Sequence, residues 1–161
     1  MSRIERTTEF FPLVVTRVPA AITLADIEVY QRELEKTFER RARFASIVVT
    51  TASTKLPGSA ERRRLAHWQH SVIELIARYN VFHATVVDSP IARGAMTAMN
   101  WLFPPPNEQV VVATFGEAFD LAIARLRSAG VDFPPALEQL ARTRPRHVDE
   151  LLGARPHDLR R

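Results

Sequence analysis

The chain has 161 residues, 46% hydrophobic and 25% charged, which is the usage of a soluble globular protein with a sizeable core. It contains no cysteine, which excludes disulfides, thiolate metal sites and a thiol nucleophile and fits a reducing compartment. The net charge is +4, but residues 141–161 alone carry six arginines against three acidic residues, so the remainder is nearly neutral and we do not expect nucleic-acid binding. No signal-like apolar segment follows Met1, and the longest charge-free stretch, Gly94 to Asn107, is too short to span a bilayer. We therefore expect a cytoplasmic protein without a transmembrane segment.

The first half of the chain alternates strand and helix patterns. Residues 13–18 predict a strand that ends before Pro19, and residues 3–10 can pair beside it. A helix is predicted from Leu24, opened by a capping box of Thr23 and Asp26 and closed among the arginines at 40–43. The apolar run at 44–51 predicts a strand buried on both faces, as in a parallel sheet. A loop rich in Ser, Thr, Pro and Gly follows, and then one long helix from an N-cap at Ser59 to Tyr79.

The second half of the chain repeats the alternation of strand and helix patterns, with short connections between them. Residues 81–87 predict a strand, after which Ser89 as N-cap and Pro90 at the first helical position begin a helix. That helix is apolar almost all round, so we expect it to be extensively buried, in the core, against another subunit or against an apolar ligand. Residues 110–112 predict the next strand, Thr114 and the glutamate three positions on predict a capping box, and Gly130 predicts a left-handed C-cap.

These elements predict an α/β fold with a mostly parallel sheet of four or five strands, alternating helices and a short C-terminal helical arm. We place the main domain at residues 1–130, and an Arg/Pro-rich extension, partly helical or disordered, at 131–161. The helices that begin near Thr23, Ser59, Ser89 and Thr114 should start along the edge where the parallel strands end. Helix N-termini carry unpaired N–H groups and partial positive charge, so this edge is the candidate site for an anion or an acidic partner group.

The element order between residues 10 and 129 resembles the STAS domains, and more closely their SpoIIAA-like branch, whose fold is related to the CRAL-TRIO lipid-binding domains. The resemblance is carried by the segment Val87-Asp88-Ser89-Pro90-Ile91-Ala92-Arg93-Gly94, by Trp101-Leu102, and by Val112-Ala113-Thr114-Phe115-Gly116-Glu117-Ala118-Phe119. It implies a regulatory protein-binding module. In STAS antagonists a phosphorylatable serine follows an aspartate in the loop that here spans residues 51–59. This loop has no Asp-Ser pair, so no serine is assigned that role; Ser53 and Ser59 come nearest by position, and N-capping explains Ser59 better.

The candidate residues for a ligand or a partner cluster at the predicted sheet edge, and those for an interface lie on the apolar helix. The first set is Ser53, Thr54, Lys55, Ser59, Asp88, Ser89 and Arg93. The second set is Met96, Met99, Trp101 and Phe103. Simple capping accounts equally for Asp88 and Ser89, with Arg93 as a solvated residue on the next helical turn.

No catalytic signature, cofactor motif or metal site is predicted. His67, His70 and Glu74 share a helical face but lack a recognisable third ligand pattern, and His83 is best explained as a hydrogen-bonded, half-buried histidine in a strand. The sequence favours a non-enzymatic STAS-like module that binds a protein partner or itself. The alternative is a domain that binds a lipid or another small apolar molecule beneath the helix from Pro90. An enzyme using Asp88 with Lys55 or Arg93 ranks third.

Overall fold

The fold was obtained as a computed structural model that describes residues 4–51, 54–55 and 57–153. Five strands and seven helices are formed by these residues, in the order β1 Glu5–Thr7, β2 Leu13–Arg17, α1 Leu24–Glu39, β3 Phe44–Val49, α2 Ser59–Ser71, α3 Ile73–Tyr79, β4 Asn80–Val86, α4 Pro90–Leu102, β5 Gln109–Val112, α5 Phe115–Ser128, α6 Pro135–Thr143 and α7 Asp149–Leu152. The prediction of an α/β fold with alternating elements is confirmed.

The five strands form one sheet in sequence order, β1-β2-β3-β4-β5. Strand β1 pairs antiparallel to β2, and the other three pairs are parallel. Because every parallel crossover moves in the same direction across the sheet, right-handed connections place α1 to α4 on one face. The chain turns back after β5, and α5, α6 and α7 cover the opposite face.

The face under α5 holds the larger hydrophobic core. The side chains at alternate positions of β2, β3 and β4 pack there against α5, and Phe82, Phe119 and Leu126 are almost completely buried. Leu137 of α6 and Leu151 of α7 belong to the same cluster, so the core crosses the boundary that the sequence suggested at residue 130.

The face under α1 to α4 is packed at one end only. Phe44, Phe38, Trp68 and Val72 form a second cluster near the strand amino ends, and Trp68 Nε1 donates a hydrogen bond to Glu35 Oε1 at 2.8 Å. Towards the carboxyl ends of the strands, the sheet and the helices on this face separate and leave a cavity between them.

The predicted helix starts are confirmed at three of four positions. The Thr23 side chain accepts from the amide of Asp26, that of Ser89 from Ala92, and that of Thr114 from Glu117. Gly130, at φ 67°, adopts the left-handed conformation expected after a helix.

Two expectations about the helices at 59–79 are wrong. The N-cap is Gly58 rather than Ser59, which is the first helical residue and makes no capping bond. The helix also breaks at Val72, where φ is −112° and ψ is 12°. Ser71 Oγ donates to the Trp68 carbonyl at 2.6 Å, and such local bonds compete with the helical ladder and bend helices.

The expectation that the helix from Pro90 is buried in the core is wrong, whereas its burial against another subunit or an apolar ligand stays a prediction. None of the residues of α4 is buried. The reason is that one side of the helix faces the cavity and the other faces solvent.

Candidate functional site

A cavity of about 490 Å³ lies between the sheet and helices α1, α2 and α4. Its walls are mostly apolar, with Ile27 from α1, Val48 from β3, Leu65 and Trp68 from α2, and Met96 from α4. The T-shaped contact between Tyr30 and Trp68, whose ring centroids are 6.1 Å apart, belongs to the same wall.

The cavity exists because α4 turns small side chains towards the sheet. Ala92 and Ala95 line it, and Met96 is the larger α4 side chain that enters it. The sheet below contributes short or polar side chains, such as Thr85 on β4 and Thr50 directly after β3, instead of the large apolar groups that would fill the space. Volumes of 300–1,000 Å³ with a few polar groups among apolar walls are typical of small-molecule sites.

The floor of the cavity on β4 and β5 is polar and internally hydrogen-bonded. Asn80 Nδ2 donates to Ser46 Oγ at 2.9 Å, Ser46 Oγ lies 2.8 Å from His83 Nδ1, and His83 Nε2 lies 3.2 Å from Thr85 Oγ1. Gln109, which is paired with His83 in the sheet, lines the same floor. The prediction of a hydrogen-bonded, half-buried His83 is confirmed.

Sequence reasoning missed Asn80, Thr85 and Gln109 as members of a site. For Thr85 the available signal was the alternation of polar His83 and Thr85 with core residues along β4. The orientation of Asn80 depends on a β-bulge, because the register between β3 and β4 shifts between Phe44 and Ala45. The shift pairs Asn80 with Phe44, which packs in the cluster on the side of helices α1 to α4.

His83 is electrically neutral at ordinary pH. Burial lowers its pKa from the usual 6.5 to about 4, since no charged group compensates the cost of desolvating the imidazolium. The residue nevertheless keeps a partly exposed surface, which belongs to the cavity that it lines. The floor therefore presents uncharged donors and acceptors.

The mouth of the cavity lies at the strand carboxyl edge. Exposed Lys55, Asp88 and Ser89 line it, together with Thr54. Two hydrogen bonds hold residues 54–55, which follow β3, at the mouth of the cavity. The Lys55 amide donates to the carbonyl of Ala20 at 2.8 Å, and Thr54 Oγ1 accepts from the amide of Thr51 at 2.8 Å. Within the described part of the chain, Lys55 and Asp88 take part in no ion pair.

The remaining predicted site residues lie apart from the cavity lining. Arg93 Nη1 donates to the carbonyl oxygens of Val87 at 2.8 Å and Asp88 at 2.6 Å, so its guanidinium holds the end of β4. Ser59 is exposed at the first position of α2. Ser53 lies outside the described residues.

Of the four predicted interface residues, one lines the cavity and three are exposed. Met96 lines the cavity. Met99, Trp101 and Phe103 belong to a set of exposed apolar residues on α4 and at its C-cap, which we call the α4 outer patch, with exposed fractions of 86% for Ile91, 54% for Met99, 83% for Trp101, 71% for Leu102 and 70% for Phe103.

Among residues 4–51, 54–55 and 57–153, no group of three or more His, Asp or Glu side chains could hold a metal ion. In the same part of the chain, no helix combines the length and apolar character needed to cross a membrane.

The chain was compared with family models, curated proteins and solved structures, and none of the three comparisons found a match.

Proposed function

We propose that this protein binds a small, largely apolar molecule in the cavity between the sheet and helices α1, α2 and α4. The observation that carries the proposal is the cavity itself, an apolar chamber of about 490 Å³ with a polar floor and an open mouth. It favours the ligand-binding alternative over a packed protein-binding module.

The volume sets the size of the ligand. A water molecule occupies about 30 Å³ of liquid, so 490 Å³ corresponds to about 16 groups of that size. The apolar walls provide the driving force, at about 0.8 kcal/mol for each methylene group removed from water. A molecule with about 12 to 16 heavy atoms and one polar end matches this chamber.

The fold class adds support of a different kind. We propose that the domain is STAS-like and of the SpoIIAA-like branch, on the element order and on the helix that Ser89 and Pro90 begin. Crevices at the carboxyl ends of strands are where open α/β sheets bind ligands, and the mouth of the cavity lies at this edge. We assign no catalytic residues.

The test is a titration with N-phenylnaphthylamine, a neutral dye whose fluorescence rises in apolar surroundings. We expect saturable binding to the natural protein. Ala92→Phe, which fills the chamber from α4, should weaken binding at least about tenfold. The matched control is Ala98→Phe, which places the same ring on an exposed α4 position outside the cavity lining.

Equal dye affinity for the natural protein and for Ala92→Phe would contradict the proposal, as would an absence of saturable binding. If only Ala98→Phe weakened binding, the dye would bind near the exposed Ala98 and not in the cavity.

A second proposal is self-association through the α4 outer patch. Trp101, Leu102 and Phe103 are consecutive and exposed. Soluble monomers rarely leave large apolar patches uncovered, and two-fold symmetry needs only one self-complementary patch. An aromatic side chain buries about 150–250 Å². With Trp101 83% and Phe103 70% exposed, the two rings offer about 300 Å² per copy, and Leu102 and Ile91 raise the total for two copies towards the ~1,000 Å² that a specific interface needs.

A weak dimer is therefore expected, and sedimentation velocity over a concentration series measures it. Trp101→Ser should shift the protein to monomer without changing its free energy of unfolding by more than about 0.5 kcal/mol, because the ring is exposed. Purely monomeric natural protein across the series would contradict this second proposal and would leave the cavity proposal intact.

A further inference from the structure

The hydrogen-bonding direction of the cavity floor is fixed by backbone groups. Asn80 Oδ1 accepts from the amide of Phe82 at 3.3 Å, so the Asn80 amino group must be the one that donates to Ser46 Oγ. Ser46 has one proton and already accepts a bond. Its proton therefore goes to His83 Nδ1, because the opposite direction would leave a buried hydroxyl proton without an acceptor among the described residues.

The same direction continues to Thr85. A neutral His83 that accepts at Nδ1 carries its proton on Nε2, which donates to Thr85 Oγ1. The Thr85 hydroxyl then has its own proton left over, with no other partner in the described part of the chain. Since Thr85 lines the cavity, this proton is available to a ligand.

A second fixed series ends at Gln109. Asn107 Nδ2 donates to the backbone carbonyl of Asn80 at 3.1 Å, which leaves Asn107 Oδ1 to accept from Gln109 Nε2 at 3.0 Å. Gln109 Oε1 therefore points away from Asn107 and has no partner among the described residues. Gln109 lies on the strand next to Thr85, two positions away in register, and lines the same cavity.

One free donor and one free acceptor thus lie on neighbouring strands of the same uncharged floor. We infer that the ligand carries a hydroxyl group that accepts from Thr85 and donates to Gln109, so that the cavity selects an uncharged amphiphile such as a long-chain alcohol. This inference rests on the proposed function of the cavity. A carboxylate could only accept, and would place its charge beside the Gln109 oxygen without a cation.

The dimensions agree with such a ligand. From His83, which is level with Gln109, to Asp88 at the mouth is five residues, or about 16 Å at 3.3 Å per residue. An alkyl chain attached to the hydroxyl therefore has room to extend along the apolar walls towards the opening.

The experiment is displacement of bound N-phenylnaphthylamine by dodecanol, methyl dodecyl ether and dodecanoate. These probes share the chain, and differ in that the alcohol donates and accepts, the ether only accepts and the dodecanoate is charged. We expect dodecanol to displace the dye at about one tenth of the concentration required for the ether, as for one hydrogen bond, and dodecanoate to be the weakest.

Two variants separate recognition from folding. Gln109→Met keeps the length of the side chain and removes the acceptor, so dodecanol and the ether should displace the dye at equal concentrations, each compared with the affinity of that variant for the dye. Thr85→Val removes the donor from which both probes accept, so it should weaken displacement by dodecanol and by the ether to a similar degree and leave the advantage of the alcohol in place. The matched control, Thr97→Val, changes an exposed α4 residue outside the cavity lining and should keep the preference for the alcohol.

The outcomes distinguish the two levels of the proposal. If the dye binds but the alcohol has no advantage over the ether, or dodecanoate binds best, the hydroxyl inference is wrong and the cavity proposal stands. If the dye does not bind to the natural protein, the proposed function fails and the inference fails with it.

Discussion

Acidification should destabilise this protein through His83 in particular. The groups that hydrogen-bond the imidazole, Ser46 and Thr85, are uncharged, so a proton on the ring would meet no compensating charge. Protonation would also abolish the acceptor at Nδ1 and leave the Ser46 proton unpaired. Burial of the ring, with no charged group to compensate, lowers its pKa in the folded state from 6.5 to about 4.

The magnitude follows from proton linkage. The unfolded chain takes up the proton as pH falls below about 6.5, whereas the folded protein resists it down to about 4. Stability due to His83 is therefore constant above pH 6.5 and is lost between 6.5 and about 4, by at most about 3 kcal/mol at 1.36 kcal/mol per pKa unit. Water in the cavity reduces this figure, because part of the ring faces it.

The assay is urea unfolding at intervals between pH 7.5 and 4, for the natural protein and for His83→Gln. We expect the difference between their free energies of unfolding to shrink as the pH falls, by up to about 3 kcal/mol over the range. His67→Gln, which removes an exposed imidazole from α2, is the control. Parallel pH curves for the natural protein and His83→Gln, or an imidazole that titrates near 6.5 in NMR spectra, would refute the argument.

Three further changes test the fold, each by urea unfolding. Thr23→Ala removes the oxygen that accepts from the Asp26 amide and should cost about 1 kcal/mol; a neutral result would show that the capping box is dispensable. Leu137→Ala should lower the free energy of unfolding by about 2–5 kcal/mol because Leu137 is fully buried. An unchanged stability would show that α6 does not pack in the core. Gly130→Ala forces a side chain into a φ of 67° and should cost about 1 kcal/mol, and a gain in stability would contradict the strain argument.

Rules that depend only on neighbouring residues predicted most helix ends correctly. The caps at Thr23, Ser89 and Thr114 and the left-handed Gly130 depend on residues within a few positions of one another, so the sequence contains the whole interaction. The break at Val72 was not predicted. It depends on the competition between the Ser71 hydroxyl and the helical hydrogen bonds around Trp68, and on how Trp68 and Val72 pack in the second core cluster.

The candidate site was predictable only in part. The sequence placed Lys55, Asp88 and Ser89 at the strand ends, and they lie at the mouth of the cavity. The sequence did not predict the cavity. A cavity depends on the distance between the sheet and the helices that cover it, and on the space that the small side chains of α4 leave empty. The polar floor required knowledge of register as well, since the bulge beside Asn80 decides which face that residue takes.

Where an added ligand sits can be measured most directly by intermolecular NOEs between dodecanol and the methyl groups of the protein. We predict contacts from the alkyl chain to Val48 and Met96 inside the chamber, and from the carbon next to the hydroxyl to the Thr85 methyl group. Contacts restricted to Ile91 and Leu102, which are exposed and outside the cavity lining, would contradict the claim that the cavity is the binding site.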